Sequence, residues 1–498
     1  MKDILSDEKV TKMKHHEVVV VGAGAAGLMA TIAMARSGVD VLLLERRPSG
    51  SPMPRATVLS LRTMEVLRSW GLEHLVRAGA DEVEMTMLEM PTVARAGEGT
   101  EIEVGVPTSA QSRVLSPSAP ACVAQDHLEA VLLEHVATYE CVTLRRGVTV
   151  EHVASTGAGA TVTVHESTGV RTIAADRVVG ADGARSVVRG ALGIEMVGPT
   201  DLFEGFRIEF RAPLWEVLGE HRHLLYFTSE PGAEAVLLPA GQGDRWQLGF
   251  QPGSAIDPSS DPSTAELEDV LRRVAGVPDL DVRIERTGHF SAAAQLAERF
   301  SSGNVFIVGD AAHRVTPRGG TGLNTAIASG YDLGWKLAWV QRGWAPESLL
   351  ATYEAERRPH AAHNVARSAD PMGSRRGAAT EVDVDLGGRI RHVWTEPGVT
   401  STLDLVGEGL TLFSSGVRAW QAAARALRCA VPVTVVTVEP IVARSLGLGS
   451  EGAVLVWPDG VPVAGWWSAL DARAQLCGAV SGLVAERALA APFAGSAA

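Results

Sequence analysis

A glycine-rich turn between two apolar runs constrains the fold of this chain more than any other feature of its sequence. The stretch "VVVVGAGAAG" places Gly22, Gly24 and Gly27 in G-x-G-x-x-G spacing, after a predicted strand and at the start of a predicted helix. The run "VDVLLLERR" then predicts a second strand that ends near Glu45. A strand, a helix and a strand within about 30 residues are typical of a parallel β-α-β unit. In such a unit Gly22 permits the tight turn, Gly24 lets the backbone approach a diphosphate, and Gly27 lets the helix pack on the strand.

This unit predicts a dinucleotide site. The first N–H groups of the helix and its dipole stabilise a bound diphosphate. Glu45 ends the second strand, where an acidic side chain accepts hydrogen bonds from ribose hydroxyls. The motif alone does not separate NAD from FAD.

Residues 12–35 also resemble a secretory signal or a membrane segment, with a basic start followed by an apolar run. Three glycines interrupt this run at phosphate-loop spacing, and a second predicted strand follows directly. We therefore expect neither export nor membrane insertion, and predict a cytoplasmic protein without a membrane partner.

Length and charge narrow the possible functions further. A chain of 498 residues is expected to form two or three domains. Its formal net charge of −13, without a clustered basic stretch, argues against a nucleic-acid partner. The four cysteines are Cys122, Cys141, Cys429 and Cys477, and no two of them form a C-x-x-C pair. We therefore expect free thiols, without a zinc motif or a dithiol redox motif.

A second glycine-rich stretch follows the apolar run "NVFIV". Residues 309–327 read "GDAAHRVTPRGGTGLNTAI", with Asp310 at the end of the run and a predicted helix from about Gly322. A carboxylate at a strand end of an α/β sheet lies where ligands bind, and it can accept hydrogen bonds from a sugar chain. The positive end of the helix favours a group that becomes anionic. The alternative is an acidic turn followed by a flexible loop.

A third stretch, "DRVVGADGARSVVR" at residues 176–189, takes a predicted strand into Asp182 and Gly183. By itself this pattern favours a simple turn, because Asp-Gly is a common turn dipeptide.

The middle of the chain has a different periodicity. Residues 200–290 alternate apolar and polar side chains, which predicts an antiparallel sheet. Seven of the ten phenylalanines lie between Phe203 and Phe300, and they indicate either a sheet core or an aromatic-lined pocket. The core interpretation is favoured, since aromatic side chains suit half-buried strands. The methionines of "EMTMLEM", Met85, Met87 and Met90, indicate either an adaptable pocket wall or core packing.

Taken in order, the three motifs resemble those of the class A flavoprotein monooxygenases, the para-hydroxybenzoate hydroxylase-like group. They are "GAGAAG" with Glu45, "GADGARS", and "GDAAHRVTPRGGTGLN". The phenol-hydroxylase-type and polyketide aromatic hydroxylases that carry a C-terminal thioredoxin-like domain are most similar, over nearly the whole chain. The resemblance implies an α/β fold with three domains. These are a Rossmann-like FAD-binding domain (16–190 and 285–370), an inserted antiparallel-sheet substrate domain (191–284) and a thioredoxin-like domain (390–490).

The resemblance also implies FAD as the cofactor and a set of contacts to it. The glycine motif would hold the diphosphate, Glu45 and Arg46 the adenosine end, and Asp310 the ribityl chain. Residues 317–324 would line the isoalloxazine edge. The full set implied to bind the cofactor is Gly22, Gly24, Ala25, Ala26, Gly27, Glu45, Arg46, Arg55, Gln125, Asp182, Gly309, Asp310, Pro317, Gly320, Thr321, Gly322, Leu323 and Asn324.

Two of these residues, Arg55 and Pro317, are the predicted catalytic residues. Arg55, in "PRAT", matches a family arginine associated with the mobile flavin and with NAD(P)H. Thr321 stands where many relatives have Gln, and Trp457 where relatives often have Arg. His313 is predicted to be structural or flavin-adjacent rather than a general base.

The activity implied by the resemblance is hydroxylation of a bulky phenolic compound, such as a polyketide intermediate. NADPH or NADH would reduce FAD, and O₂ would then form a C4a-hydroperoxyflavin that transfers one oxygen atom to the ring. Baeyer–Villiger oxygen insertion and a flavin-binding protein without turnover are the alternatives. No metal is expected, the predicted partner is a small aromatic molecule, and the chain is expected to be a monomer or a homodimer.

Overall fold

A computed structural model describes residues 15–50, 56–250, 256, 262–416 and 418–483. Among these residues, none of the helices is both long enough and apolar enough to cross a membrane. Strands and helices are numbered here in chain order.

The strands are β1 His15–Val21, β2 Val41–Glu45, β3 Val58–Leu59, β4 Ala80–Asp81, β5 Glu84–Met90, β6 Thr100–Glu103, β7 Ala121–Val123, β8 Val142–Arg146, β9 Thr149–Thr156, β10 Gly159–Glu166, β11 Gly169–Gly180, β12 Met196–Val197, β13 Phe203–Arg211, β14 His223–Thr228, β15 Ala235–Pro239, β16 Arg245–Phe250, β17 Arg283–Ala292, β18 Gln295–Ala297, β19 Ser301–Ser302, β20 Val305–Ile307, β21 His313–Arg314, β22 Trp394–Glu396, β23 Thr400–Ser401, β24 Leu410–Ser414, β25 Val433–Thr437, β26 Ala453–Val456 and β27 Pro462–Trp466.

The α-helices are α1 Ala25–Ala35, α2 Leu61–Ser69, α3 Glu73–Arg77, α4 Ser109–Leu115, α5 Gln125–Val136, α6 Val187–Ala191, α7 Leu214–Leu218, α8 Thr264–Ala275, α9 Gly322–Gln341, α10 Ala351–Ala369, α11 Ala378–Leu386, α12 Arg418–Ala426, α13 Pro440–Ser445 and α14 Ala472–Leu483. Short 3₁₀ turns occur at Val93–Glu98, Gly309–Ala311, Arg318–Gly320 and Glu347–Leu350.

A largely parallel sheet forms the centre of the molecule, in the order β19-β20-β11-β1-β2-β8. Strands β20, β11, β1, β2 and β8 run parallel to one another, and the hairpin β9–β10 extends the sheet through β11. The valines of β1 and the leucines of β2 are buried on both faces, as expected for a parallel strand covered by helices. Helix α1 is buried along its whole length, and apart from Thr31 its side chains are apolar on every face rather than amphipathic.

A second sheet of seven strands has the order β17-β13-β16-β15-β14-β5-β6. Five of these strands come from the region with period-two alternation. The other two, β5 and β6, come from much earlier in the chain, and β5 pairs in parallel with β14. The sheet therefore extends beyond the segment 191–284 that the sequence predicts for it.

The two faces of this sheet have different surroundings. One face packs on α8 and contains Phe206, Phe210 and Phe250, each at most 3% exposed. The core interpretation of the phenylalanines therefore holds for these three. Phe203 and Phe290 are half-buried and touch edge to face at a centroid distance of 6.3 Å.

The three methionines of β5 do not share one face. Met85 and Met87 pack with Cys122, Val104 and Leu224, whereas Met90 packs in the core that includes Phe206. Strand geometry explains this, because side chains an odd number of residues apart point to opposite faces. A single wall formed by all three methionines is therefore wrong.

The C-terminal sheet has the order β25-β24-β26-β27, with β24 parallel to β25 and antiparallel to β26. It packs against α9 through tryptophans, among them Trp335, Trp339 and Trp457. Trp457, where relatives often have Arg, thus belongs to an aromatic core. The thioredoxin-like assignment and the domain boundaries stay predictions. All four cysteines are free thiols.

Candidate active site

Four neighbouring strands end at one edge of the central sheet, and the predicted motifs lie at those ends. Strands β2, β1, β11 and β20 lead into Glu45, Gly22, Asp182 and Asp310 respectively. Backbone hydrogen bonds join the ends: Gly22 N donates to Leu44 O (2.7 Å), Ala181 N to Val21 O (2.8 Å) and Val308 N to Gly180 O (2.9 Å). The carboxyl ends of strands in an open α/β sheet are where ligands bind.

The three glycines of the first motif differ in the space around them. Gly22 has a φ of +106°, and a Cβ there would lie 2.3 Å from Ala181 O. A Cβ on Gly27 would lie 2.0 Å from Gly22 O, so these two glycines are required by close backbone packing. A Cβ on Gly24 would meet only Glu129 Oε1, at 3.9 Å. The backbone at Gly24 thus faces open space that a ligand can enter.

The start of α1 is suited to an anion. Helix α1 begins at Ala25 and Ala26, and Gly24 at its N-cap position provides no side-chain hydrogen bond to the first turn. The N–H groups in the first turn of a helix carry partial positive charge. The glycine turn, the open face at Gly24 and this helix end together fit the diphosphate of FAD.

Glu45 is held in place by the backbone around it. Its carboxylate accepts hydrogen bonds from Ala23 N (2.9 Å) and Arg47 N (2.8 Å). It therefore ties the glycine turn to the end of β2. Arg46 is exposed, and Arg55 lies outside the described residues.

Helix α5 supplies two polar side chains on the same side as the glycine turn. Gln125 begins the helix, and its Nε2 donates to Glu129 Oε1 at 2.8 Å. The backbone N–H of Ala25, in α1, also donates to the Glu129 carboxyl group. Gln125 is among the residues predicted from the sequence, and Glu129 is not. An acidic residue one helical turn after Gln125, among Leu128, Val131 and Leu132, is the signal that points to it.

The second glycine-rich stretch packs directly on the first. Gly309 has a φ of +61°, and a Cβ there would lie 2.9 Å from the Cβ of Ala26. Further along, Gly330 and Gly334 of α9 let that helix approach α1, because a Cβ on either would lie within 2.7 Å of an α1 backbone oxygen. Asp310 follows Gly309 and is half-buried. Close packing of the two helices therefore fixes Asp310 relative to the glycine turn.

The loop 317–321 lies on a rigid support. Gly319 has a φ of +79°, its N–H donates to Ser374 Oγ (3.0 Å), and a Cβ on it would lie 2.8 Å from Arg367 Nε. Arg367 is only 5% exposed, and it donates to Gly373 O and Val104 O. Gly320 has a φ of +63°, and a Cβ there would have no neighbouring atom within 4 Å. The loop thus presents an open backbone face at Gly320, the place predicted for the flavin ring.

Helix α9 starts at this loop with Gly322 and Leu323, and Thr321 provides no capping hydrogen bond. The next residue, Asn324, is used structurally. Its Oδ1 accepts from Ser60 N and Thr63 Oγ1, both at 2.9 Å, and its Nδ2 donates to Val58 O at 3.1 Å. The Asn324 side chain therefore joins α9 to the start of α2.

Asp182 shapes its own turn. Its two carboxylate oxygens accept hydrogen bonds from Ser186 Oγ and from Val188 N, at the start of α6. This matches the simple-turn interpretation of "GADGARS". The turn nevertheless lies at the same sheet edge as the other motifs.

His313 lies in the interior behind the loop. It is 1% exposed, and its Nε2 lies 3.3 Å from Ser329 Oγ. Burial lowers the pKa of His313 to about 3, and the Arg357 guanidinium acts in the same direction. The imidazole is therefore neutral at physiological pH, and it lacks the exposure that a general base needs.

Three carboxylates elsewhere lie close enough together to hold a metal ion. They belong to Asp332, Glu356 and Asp459, near the contact with the C-terminal sheet. The buried Lys336 ammonium already binds two of them, at 2.7 Å from Asp332 and 2.8 Å from Glu356. A lysine thus supplies the positive charge that a metal would otherwise bring.

Comparison with known proteins agrees with this geometry. Residues 15–368 match the model of a protein family described as an FAD binding domain. The chain is 35% identical to a putative polyketide hydroxylase of Streptomyces halstedii, over 71% of this chain and 64% of that protein. It is 31% identical to an aklavinone 12-hydroxylase of Streptomyces purpurascens, over 95% of this chain and 99% of that protein. The chain thus spans less than two thirds of the first relative and nearly all of the second.

Among solved structures, the chain superposes on aklavinone-11 hydroxylase in its ternary complex with FAD and aklavinone. The TM-score is 0.82 at 28% identity, and the match covers 95% of this chain and 99% of the other. These findings confirm the predicted α/β FAD-binding fold, the resemblance to flavoprotein hydroxylases, and FAD as the cofactor.

Proposed function

This chain belongs to the family that carries this FAD-binding domain, and on that premise we propose that it is a flavin-dependent monooxygenase. It uses NADPH or NADH and O₂ to hydroxylate a bulky aromatic, phenolic compound of the polyketide type. One observation supports the proposal most strongly: at one edge of the central sheet lie the glycine turn, Glu45, Asp310 and the loop 317–321. The named hydroxylases among the relatives support the reaction class.

The reaction consumes one molecule each of NAD(P)H and O₂, with one proton. One oxygen atom is inserted into a C–H bond of the ring to give a hydroxyl group, the other leaves as water, and NAD(P)⁺ is released. FAD, when bound, supplies the transfer of electrons from NAD(P)H to O₂ and the activation of oxygen.

The protein residues hold and orient the cofactor in this proposal. Gly22, Gly24 and Gly27 with the start of α1 bind the diphosphate, and Glu45 faces the ribose of the adenosine half. Asp310 accepts hydrogen bonds from the ribityl hydroxyls. The positive end of α9 stabilises negative charge on the ring beside residues 317–324.

The second sheet is proposed to form the substrate wall. The guanidinium of Arg318, next to Pro317, lies 4.5 Å from the centre of the Phe203 ring, so the sheet and the loop are in contact. Phe290 lies over Gly205, where a Cβ would come within 2.2 Å of the ring. Aromatic side chains at this place suit a flat aromatic substrate and exclude water from the reacting atoms.

Anaerobic mixing with NADPH or NADH tests the proposal. Loss of the visible flavin absorption band, faster in the presence of a phenolic substrate, is the expected result. Subsequent addition of O₂ should restore the band and yield a product heavier by one oxygen atom. If neither nucleotide reduces the flavin with any phenol offered, the protein is a flavin-binding protein without this activity. A ring-expanded ester identified by NMR would instead establish Baeyer–Villiger insertion.

A further inference from the structure

The Glu129 carboxyl group lies beside the glycine turn, and the mechanism above does not use it. Its side chain is buried, with the residue 9% exposed. Gln125 Nε2 donates to its Oε1 at 2.8 Å, and the backbone N–H of Ala25 donates to the same carboxyl group. Its Oε1 lies 3.9 Å from the point where a Cβ on Gly24 would stand. The carboxyl group therefore borders the open space at Gly24.

The charges that face Glu129 are negative. Asp126 on α5 and Glu45 on β2 are the charged groups that act on it, and α1 carries no charged side chain. Among the described residues no Arg or Lys forms an ion pair with Glu129. Arg245 pairs with the neighbouring Asp126 instead, at 2.8 Å. Burial raises the pKa of Glu129, and the two carboxylates raise it further, against the two hydrogen bonds.

A bound diphosphate adds negative charge next to this carboxyl group. Two like charges within about 4–6 Å in a partly buried site disfavour ionisation of the titratable one. A neutral carboxylic acid avoids the repulsion. Protonated at Oε1, the oxygen that borders the open space at Gly24, it offers an O–H donor to a phosphate oxygen while the same oxygen keeps accepting from Gln125. An ionised Glu129 offers only acceptors to a ligand that consists of acceptors.

We propose that Glu129 enters the FAD complex as the neutral carboxylic acid and donates its O–H to the diphosphate, so that FAD binding takes up one proton at this side chain. The inference rests on the proposed position of the diphosphate at Gly24. It makes Glu129 a cofactor-binding residue and makes the FAD affinity depend on pH.

The sign of this dependence follows from linkage. FAD binds tightest at a pH where Glu129 is already protonated in the free protein. As the pH rises towards the higher pKa that Glu129 has in the complex, the dissociation constant for FAD increases about tenfold per pH unit.

Dilution of the holoenzyme at a series of pH values measures this directly, because FAD released from the protein is followed by its fluorescence. We expect the pH-dependent loss of affinity in the wild-type chain. Glu129→Gln keeps the size and a donor N–H without a titrating proton, so it should bind FAD with an affinity that changes little with pH. Glu134→Gln is the matched control, since Glu134 lies on the same helix but is exposed, and it should behave as wild type.

A wild-type pH dependence that survives in Glu129→Gln overturns the proposal, as does a wild-type affinity that is independent of pH. Proton uptake keeps the test decisive if the variant does not fold. At a pH where the wild-type affinity falls about tenfold per pH unit, addition of FAD to wild-type apoprotein in weak buffer should take up close to one proton, and no uptake at that pH contradicts the proposal. Both readouts concern FAD binding alone. Failure of hydroxylation would therefore not affect them, and their failure would leave the proposed reaction standing.

Discussion

Gly24 and Gly27 stand three residues apart, and their surroundings predict opposite effects of the same substitution. Gly27→Ala brings a Cβ within 2.0 Å of Gly22 O, so the backbone must shift. We expect it to lower the free energy of unfolding by about 3 kcal/mol, as overpacking does. Gly24→Ala meets only Glu129 Oε1 at 3.9 Å and should fold normally. It should nevertheless weaken FAD binding at least about tenfold, or about 1.4 kcal/mol, because its methyl group fills the diphosphate space.

Urea unfolding without FAD and fluorescence titration with FAD separate the two effects. Gly190→Ala is the control, since a Cβ there has no neighbour within 4 Å. It should leave FAD binding unchanged and should not lower the free energy of unfolding, because Ala is at least as stable as Gly in a helix. If Gly24→Ala binds FAD as tightly as the wild type, the diphosphate does not lie at the open face of Gly24.

His313 predicts a contribution to the pH dependence of stability. Burial lowers its pKa to about 3 from an ordinary value of 6.5, so the unfolded chain binds its proton more readily than the folded chain. The stabilising effect of the neutral buried imidazole is therefore complete above pH 6.5 and is lost as the pH falls towards 3. The wild-type free energy of unfolding should fall more steeply with acidification than that of His313→Gln, by about 1.4 kcal/mol per pH unit.

Denaturant unfolding at several acidic pH values measures the difference between the two slopes. His74→Gln provides the comparison, because His74 is exposed, and its slope should match the wild type. Equal slopes for His313→Gln and the wild type would show that His313 titrates normally.

Single residues were predictable where local geometry demands one residue type. Gly22 and Gly27 follow from the spacing of the first motif, and Asp310 from its place at a strand end. Glu129 and Arg367 were not predicted, since their roles depend on contacts with residues about 50 to 100 positions away, Gly24 and Gly319. Arg367 packs beneath Gly319 only because α10 returns to the loop, and no sequence period encodes that return.

Among the elements, α9 connects two parts of the molecule. Its start faces the candidate site, and its end packs into the C-terminal core through Trp335 and Trp339. Trp339 is 1% exposed, stacks near Trp457 at 5.3 Å, and donates from Nε1 to Glu408 O. Trp339→Ala should therefore cost about 3–5 kcal/mol of stability, as expected for removal of a buried tryptophan.

Thermal unfolding and limited proteolysis report this loss, and cleavage should begin in the C-terminal unit. Trp467→Ala serves as the control because Trp467 is 71% exposed, and it should change stability by less than about 0.5 kcal/mol. Equal effects of the two substitutions would mean that the tryptophan cluster does not hold the C-terminal sheet to α9.

The types of the longer elements were predictable from their periods, and their partners were not. Strand β5 shows the limit: its alternation predicts a strand, yet its parallel pairing with β14 joins residues about 140 positions apart. Met87 and Met90 point to opposite faces because they are three residues apart, but the core that each one enters depends on the position of the sheet.

At the scale of the whole molecule, a buried ion pair joins the C-terminal part to the FAD-binding half. Arg389 Nε donates to Glu65 Oε2 at 2.8 Å and its Nη2 to Glu65 Oε1 at 2.5 Å, with both side chains at most 3% exposed. Arg62 also pairs with Glu65 at 3.1 Å. Burial alone would raise the pKa of Glu65, but Arg389 and Arg62 overcome it and hold that pKa below its ordinary value.

Arg389→Gln leaves Glu65 short of its strongest partner and should destabilise the protein by about 3–5 kcal/mol. The double variant Glu65→Gln with Arg389→Gln should lose less than the single variant, because no unpaired charge remains buried. Urea unfolding of both variants tests this. A double variant as unstable as the sum of two independent losses contradicts the pairing.

At this scale the ordered set of motifs predicted an FAD-binding family, and the family comparison confirms it. The identity of the substrate does not follow from the motifs, because the wall proposed to face it is assembled from strands that are distant in sequence. Phe203 and Phe290 become neighbours only through the pairing of β13 with β17.

The most direct test of the central claim is turnover of a polycyclic phenol by the holoenzyme with NADPH under ¹⁸O₂, followed by mass spectrometry of the product. We predict a product that has gained one oxygen atom, and that this atom carries the label. A product that has gained unlabelled oxygen, or that has lost two hydrogens without gaining oxygen, would contradict monooxygenation.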